Sequence, residues 1–336
     1  MQSANPGVRG EPDPARRSAG ATGTVKLMDN RIISTASEAR SMRGVDPLSR
    51  PPGASPLLLA SVRSVEEAIS ALAGGADLLD VKEPREGSLG AAPPAALRAI
   101  VSIRDAGVDP WAGDGSPWQP ADEPGPQPRK AAVSAALGDA PYLPGTLALA
   151  AAGAAGCGVD IVKFGLHGVR DHGEAVALIR AVVEGARSVS PRVRVVAAAY
   201  ADAARIGSLP PALLVRACEA GGADGCLIDT AIKDGTTLLD HLDAGALSLI
   251  ARDARGRGLF CALAGSIGHE ELPEILKADP DLIGARTSLC DGGRQGALRS
   301  DRVAAFRRAL RGVPNRSALT DRSARTPRAG RSAADV

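Results

Sequence analysis

The sequence predicts an α/β protein: one (β/α)8 TIM barrel, preceded by an extension, carrying one insertion and ending in a tail. Three observations carry the prediction. Four times a helical stretch runs into Gly or a turn, then Asp, then a hydrophobic strand: Gly75-Ala76-Asp77-Leu78-Leu79, Gly158-Val159-Asp160-Ile161-Val162, Gly222-Ala223-Asp224-Gly225-Cys226-Leu227-Ile228 and Asp279-Pro280-Asp281-Leu282-Ile283. Further strands at Ala131–Leu137, Val193–Ala199 and Leu259–Ala264, together with Leu57–Ser61, bring the number to eight, alternating with helices over about 255 residues. Such alternation implies right-handed crossovers and a parallel sheet, and the size is that of a barrel. The third observation is negative. An open doubly wound sheet usually carries G-x-G-x-x-G after its first strand, and none is present.

Each element has a local reason. Leu57-Leu58-Leu59-Ala60-Ser61 is an apolar strand. Ser64 caps a helix over 65–74, with Glu67 at capping-box spacing, and Gly74-Gly75 end it. In the repeat, Gly supplies the left-handed cap and Asp favours the turn into the strand. The remaining helices fall at 94–104, 145–156, 172–188, 209–220, 240–256, 269–277 and 299–311. Residues 1–55 are rich in Gly, Pro, Ser, Ala and Arg without periodicity and are expected to be a disordered extension. The barrel spans 56–312. Within it, 109–129 holds six prolines and both tryptophans, and is read as a peripheral insertion in a helix-to-strand loop. Residues 313–336 are expected to be a disordered basic tail.

Composition narrows the function. The chain has 336 residues, 44% hydrophobic, with a net charge of +2. This balance argues against a dedicated nucleic-acid binder, and 2% aromatics leave little for base stacking. The five cysteines form no C-x-x-C pair and accompany no His cluster at metal-ligand spacing, so no metal is expected. They read as small buried residues of a reducing compartment. No apolar signal core lies in the first fifty residues, and no run is apolar enough to span a membrane. A cytoplasmic location is the expectation.

Basic residues are strongly biased toward Arg, and only Lys26, Lys82, Lys130, Lys163, Lys233 and Lys277 are lysines. Arg cannot become a neutral nucleophile, whereas Lys can. Side chains at i and i+2 of a strand share a face, so Asp80 and Lys82 project together at the end of strand two. Strand four ends in Lys163. Strand six ends in Asp229, with Lys233 in the loop that follows. A single strand-end pair is ordinarily structural. Here three lysines and two aspartates come from alternate strands, whose inward residues share layers, and they converge on the C-terminal mouth. Such an amine can form a Schiff base once burial and a neighbouring ammonium lower its pKa from ~10.4. Lys163 would do this for Lys82, Asp80 would shuttle protons and orient the amine, and Asp229 is placed as general acid or base.

The other half of the mouth suits a phosphate. Strand seven runs into Ala264-Gly265-Ser266-Ile267 and strand eight into Gly284-Ala285-Arg286-Thr287-Ser288. Small residues and backbone amides in these two loops are the usual phosphate site of a barrel. Gly265, Ser266 and Thr287 would form the cradle, and Arg286 would add a bidentate cation. Tight turns and a surface Arg are the plainer alternative. A weaker second anion site, at Ser88, is read in Glu86-Gly87-Ser88-Leu89-Gly90.

The chain resembles the (5-formylfuran-3-yl)methyl phosphate synthase family, also called 4-(hydroxymethyl)-2-furancarboxaldehyde-phosphate synthase, of methanofuran biosynthesis. The resemblance covers Pro56 to Leu310. It rests on Asp80-Val81-Lys82-Glu83-Pro84 with Gly87-Ser88-Leu89-Gly90-Ala91, on Gly138-Asp139-Ala140-Pro141-Tyr142 with Pro144-Gly145-Thr146, and on Lys163-Phe164-Gly165-Leu166. It continues through Ala199-Tyr200-Ala201-Asp202, Asp229-Thr230-Ala231-Ile232-Lys233-Asp234-Gly235 and Ala262-Leu263-Ala264-Gly265-Ser266-Ile267. The extension, insertion and tail depart from the family but touch no motif. The resemblance implies a Schiff base on Lys82, acid/base work by Asp229 and support from Asp80, Lys163 and Lys233. It implies condensation of two glyceraldehyde 3-phosphates with loss of phosphate and two waters. No net redox change occurs in that sum, so no cofactor is expected. The expected partners are the small-molecule triose phosphate and further copies of the chain in a homo-oligomer, with no nucleic acid and no membrane. Two other functions fit the same residues: another class I aldolase acting on phosphorylated sugars, and a non-catalytic phosphate-binding barrel.

Overall fold

Two-residue alternation sorts the first strand, β1 (Leu57–Val62), into two faces. Leu57 and Leu59 join one apolar cluster, and Leu58, Ala60 and Val62 join another. The same sorting recurs around the molecule. The smaller cluster holds Leu57, Leu59, Leu78, Ala132, Ile161, Val196, Leu227, Ala262 and Leu282, the filling of a barrel. The larger one lies between the strands and the surrounding helices. This computed structural model describes residues 54–106, 131–139 and 141–312. The readings made for 1–53, for the 109–129 insertion and for the 313–336 tail fall outside them.

The strands are β1, β2 (Leu78–Val81), β3 (Ala132–Ala136), β4 (Ile161–Gly165), β5 (Arg194–Tyr200), β6 (Gly225–Asp229), β7 (Phe260–Leu263) and β8 (Leu282–Ala285). They pair in chain order, and β8 closes on β1 with Leu57 opposite Leu282. Every pairing is parallel. The eight-stranded parallel barrel is therefore what the alternation of elements predicts.

The recurring Asp does more than favour a turn. At the start of β2, β4, β6 and β8 the carboxylates of Asp77, Asp160, Asp224 and Asp281 accept the backbone N–H of Leu58, Val133, Val195 and Cys261. Each Asp also donates its own N–H to the carbonyl of that same residue. One side chain thus pins each even strand to the odd strand before it, at the end of the barrel away from the mouth. Arginines close on three of these carboxylates: Arg307 on Asp77, Arg104 on Asp160, and Arg187 from α4 with Arg194 of β5 on Asp224.

The helices that cover the barrel are α1 (Val65–Ala73), α2 (Pro94–Ala106), α3 (Pro144–Ala155), α4 (His172–Val189), α5 (Ala203–Ile206), α6 (Leu214–Gly221), α7 (Ala244–Gly256), α8 (Leu272–Ile275) and α9 (Ser300–Gly312). Three are shorter than their apolar periodicity suggests. Pro210 and Pro211 lack N–H groups, so the expected helix at 209 opens as a 3-10 turn and α6 begins at Leu214. Asp243 caps α7 by accepting from Ala246 N at 2.7 Å, which sets its start past 240. Pro273 leaves α8 a single turn, continued by a 3-10 turn. The four-residue α5 carries no periodicity long enough to be read in advance.

Ser64 does cap α1, accepting from Glu67 N at 3.4 Å. Glu67 does not reach back to Ser64. Its carboxylate instead accepts from Arg63 N and from the guanidiniums of Arg63 and Arg286. All five cysteines are buried and unpaired. Among the described residues no helix is long and apolar enough to cross a membrane.

Candidate active site

The inward row of β2 runs Leu78, Asp80, Lys82. It begins apolar and ends charged because Lys82 stands one residue beyond the last ladder position, at the mouth. β4 and β6 contribute Lys163 and Asp229 from the same even-strand set. Neighbouring odd strands carry small residues such as Ser61, Ser134, Ala136, Ala198 and Ala262, which leaves space for the long lysine stems. The result is an open cleft at the C-terminal mouth of the barrel.

Asp80, Lys82, Lys163, Asp229, Lys233, Gly265, Ser266, Arg286 and Thr287 all line this cleft. Of the residues singled out in the sequence, Ser88 alone is not among its walls. It is buried beside the cleft, and the Lys82 ammonium donates to its carbonyl at 3.1 Å.

The five charged groups form two linked pairs with Lys82 between them. Lys163 Nζ lies 2.6 Å from Asp80 Oδ2, and Ser61 Oγ donates to the same oxygen at 2.9 Å. Lys82 Nζ stands farther from it, at 3.8 Å. Asp80 Oδ1 is buried with no hydrogen-bond partner among the described residues. On the other side Lys233 Nζ donates to Asp229 Oδ1 at 2.8 Å and to Thr230 Oγ1 at 2.9 Å. The Thr230 N–H also donates to Asp229 Oδ1.

These surroundings set the protonation states. Burial pushes the Lys82 ammonium down, and the neighbouring Lys163 charge pushes it further. Asp80 and Asp229 oppose this, and the balance leaves Lys82 at about 8. For Asp229, burial acts to raise the pKa. The ammoniums of Lys233 and Lys82, with the hydrogen bonds from Lys233 and Thr230, outweigh it and hold the carboxyl well below the usual carboxylate range. Asp229 is therefore a carboxylate at neutral pH. It can accept a proton before it can give one, which narrows the acid-or-base role read from its position.

Two expectations are corrected. The sequence points to Arg286 as a bidentate phosphate ligand. Its Nε donates to the Arg294 carbonyl, Nη1 to the Ser61 carbonyl and Glu67, and Nη2 to Glu67 and the Gly296 carbonyl. All five N–H donors are occupied, so it ties the loop after β8 to β1 and α1. The sequence points to Ser88 as an anion ligand. Its one hydroxyl proton is shared between Asp229 Oδ2 at 3.1 Å and the Thr230 carbonyl at 2.9 Å, so it positions Asp229. The rest of the cradle has free donors. The backbone N–H groups of Gly265, Ser266 and Ile267 make no hydrogen bond among the described residues. Ser266 holds φ 55°, a left-handed value rare for a residue with a side chain.

Periodicity and spacing in the sequence give no sign of a place at the site for Glu67, Asp139, Tyr200 or Arg294. The Asp139 carboxylate accepts from the Leu89 N–H at 2.8 Å and from the buried Tyr200 hydroxyl. It thereby fixes the loop that presents Ser88. Both residues lie in blocks that carried the resemblance, which was the available signal.

A family model described as 4-HFC-P synthase matches residues 58–307. The (5-formylfuran-3-yl)methyl phosphate synthase of Methanocaldococcus jannaschii is 41% identical over 246 residues, covering 73% of this chain and 95% of that protein. Its counterpart in Archaeoglobus fulgidus is 39% identical over 255 residues, covering 76% and 99%. Among solved structures, the thiamine phosphate pyrophosphorylase from Pyrococcus furiosus is 15% identical with a TM-score of 0.45, over 76% of this chain and 95% of that one. A likeness of that size says nothing about chemistry. The match to the family model and the two synthases, over most of each chain, is of another order: the chain belongs to the 4-HFC-P synthase family.

Proposed function

We propose that the protein condenses two molecules of glyceraldehyde 3-phosphate into (5-formylfuran-3-yl)methyl phosphate, the furan precursor of methanofuran, through a Schiff base on Lys82. The observation that carries this reading is the condition of one amine. Lys82 is buried beside a second ammonium, with its pKa pushed down to about 8. At pH 7 roughly one such amine in ten is neutral, against about one in 2,500 for an ordinary lysine at ~10.4. Neutral amine is the form that attacks a carbonyl.

Lys82 Nζ bonds to the aldehyde carbon of one triose phosphate, and the carbonyl oxygen leaves as water. The resulting iminium draws electrons from the adjacent carbon, whose proton passes to a carboxylate. Asp229 is ionised for this task, and the unpartnered Asp80 Oδ1 is a second acceptor in the same cleft. The enamine carbon then bonds to the aldehyde carbon of the second triose phosphate. Elimination of one phosphate, dehydration and release of the amine close the ring. The sum balances without an oxidant: two C3H7O6P give C6H7O6P, one H3PO4 and two H2O. Loss of phosphate from carbon makes this the reaction of a carbon–oxygen lyase. The free amides of Gly265, Ser266 and Ile267, with Thr287 beside them, would receive a phosphate.

The test is product formation from glyceraldehyde 3-phosphate alone, followed by ultraviolet absorbance of the furan aldehyde and by mass. One furan and one inorganic phosphate per two triose phosphates is the expected result. A trapped imine without furan would leave an ordinary class I aldolase. No imine at all would leave a binding barrel.

A further inference from the structure

The cations at the mouth differ in what already neutralises them. Lys163 is paired with Asp80 and Lys233 with Asp229, and Arg286 has Glu67. Arg294 also lines the cleft, and it forms no ion pair among the described residues. Its Nη2 donates to the carbonyls of Pro84 and Gly87, at 3.3 and 2.7 Å. Nε and Nη1 donate to nothing among the described residues, so three of its five N–H donors are uncommitted.

The loop that carries Arg294 is held in shape. Gly292 and Gly293 adopt φ 73° and 83°, and a side chain at Gly296 would collide with the Asp291 carbonyl. Arg286 Nε grips the carbonyl of Arg294 itself at 2.7 Å. Arg294 is half-buried, and burial makes its charge less comfortable while Asp229 and Asp139 favour it. A half-buried, preorganised guanidinium with spare donors and no ion-paired carboxylate among the described residues is suited to a dianion.

We propose that Arg294 is the phosphate-binding cation of this cleft, taking the phosphate monoester dianion of a triose phosphate through its Nε and Nη1 donors. The proposal rests on the triose phosphate reading above and adds a residue to it. It also links phosphate to chemistry. The carbonyls that Arg294 holds, at Pro84 and Gly87, belong to the segment presenting Ser88, whose own carbonyl receives the Lys82 ammonium. A phosphate on Arg294 would thus steady the loop that orients the nucleophile.

The experiment compares wild type with Arg294→Gln and Arg294→Lys in two measurements. Borohydride trapping over graded concentrations of glyceraldehyde and of glyceraldehyde 3-phosphate gives a ratio, the half-saturating concentration of glyceraldehyde divided by that of glyceraldehyde 3-phosphate. The expected result is that this ratio falls by about tenfold or more in Arg294→Gln, with partial recovery in Arg294→Lys. Calorimetry with inorganic phosphate needs no imine chemistry, and the expected result is about tenfold weaker binding in Arg294→Gln. An unchanged ratio and unchanged phosphate affinity would overturn the proposal while leaving the synthase reading standing. Equal loss against both aldehydes, with phosphate affinity unaltered, would make Arg294 a strut of the loop and also overturn it. If wild type trapped neither aldehyde, the synthase reading would fail, and phosphate affinity alone would decide for or against Arg294.

Discussion

Lys163 Nζ sits 2.6 Å from Asp80 Oδ2, closer by more than an ångström than Lys82 does to the same oxygen. The carboxylate nearest the proposed nucleophile is therefore engaged first by another lysine. Lys82 feels the cation of Lys163, and the counter-charge beside it is already shared. That ordering, together with burial, is how the site keeps one amine near 8 in a cleft containing two carboxylates.

Replacing Lys163 by Met should undo this. The variant loses a charge that lowers the Lys82 pKa and frees a carboxylate that raises it, so both changes act in one direction. The pH at which imine trapping reaches half its maximum is expected to rise from about 8 by at least about one unit, toward the ~10.4 of an ordinary lysine. Trapping rate against pH checks this. A midpoint that stays or falls would contradict it.

Glu67 and Arg286 form a nearly fully buried pair, 2.9 Å apart, that joins α1 to the loop after β8. Removing one charge leaves the other buried without its partner. Glu67→Gln is expected to cost about 3 kcal/mol in denaturant unfolding and to weaken triose phosphate capture through the loosened loop. Loss of stability below about 1 kcal/mol would mean that the carbonyls around Arg286 suffice to hold it.

At the far end of the barrel, Asp224 accepts from Val195 N and faces Arg187 and Arg194. Asp224→Ala is expected to destabilise the fold by about 3 kcal/mol, because it strands the Val195 backbone donor and removes the carboxylate that Arg187 and Arg194 face. The pH midpoint of imine trapping should not move, since Asp224 stands at the start of β6, at the opposite end of the barrel from the cleft. A moved midpoint would show coupling through the barrel that the contacts do not provide.

Much of this was legible in the chain because a parallel barrel repeats a short-range pattern. Period two put Asp80 and Lys82 on one face, and alternate strands brought Lys163 and Asp229 to them. Short-range signals also misled. Glu67 satisfied the spacing of a capping box, but its carboxylate is claimed by Arg286, 219 residues away, a pairing no local pattern could reveal. For the same reason Arg286 looked like a free cation. Arg294 escaped notice because Asp291-Gly292-Gly293-Arg294-Gln295-Gly296 has no periodicity, and a lone Arg among glycines gives no sign of facing a cleft. The repeated Asp is visible in the sequence, but its bond to the neighbouring strand depends on the register of each strand pair, which appears only in the folded sheet.

Direct identification of the trapped amine bears on everything else. Protein reduced with borohydride in the presence of glyceraldehyde 3-phosphate is digested, and the modified peptide is located by mass. The expected adduct lies on Lys82, and Lys82→Arg, folded as wild type, yields neither adduct nor furan. An adduct on Lys163 or Lys233, or furan formation near the wild-type rate in Lys82→Arg, would contradict the assignment of the nucleophile.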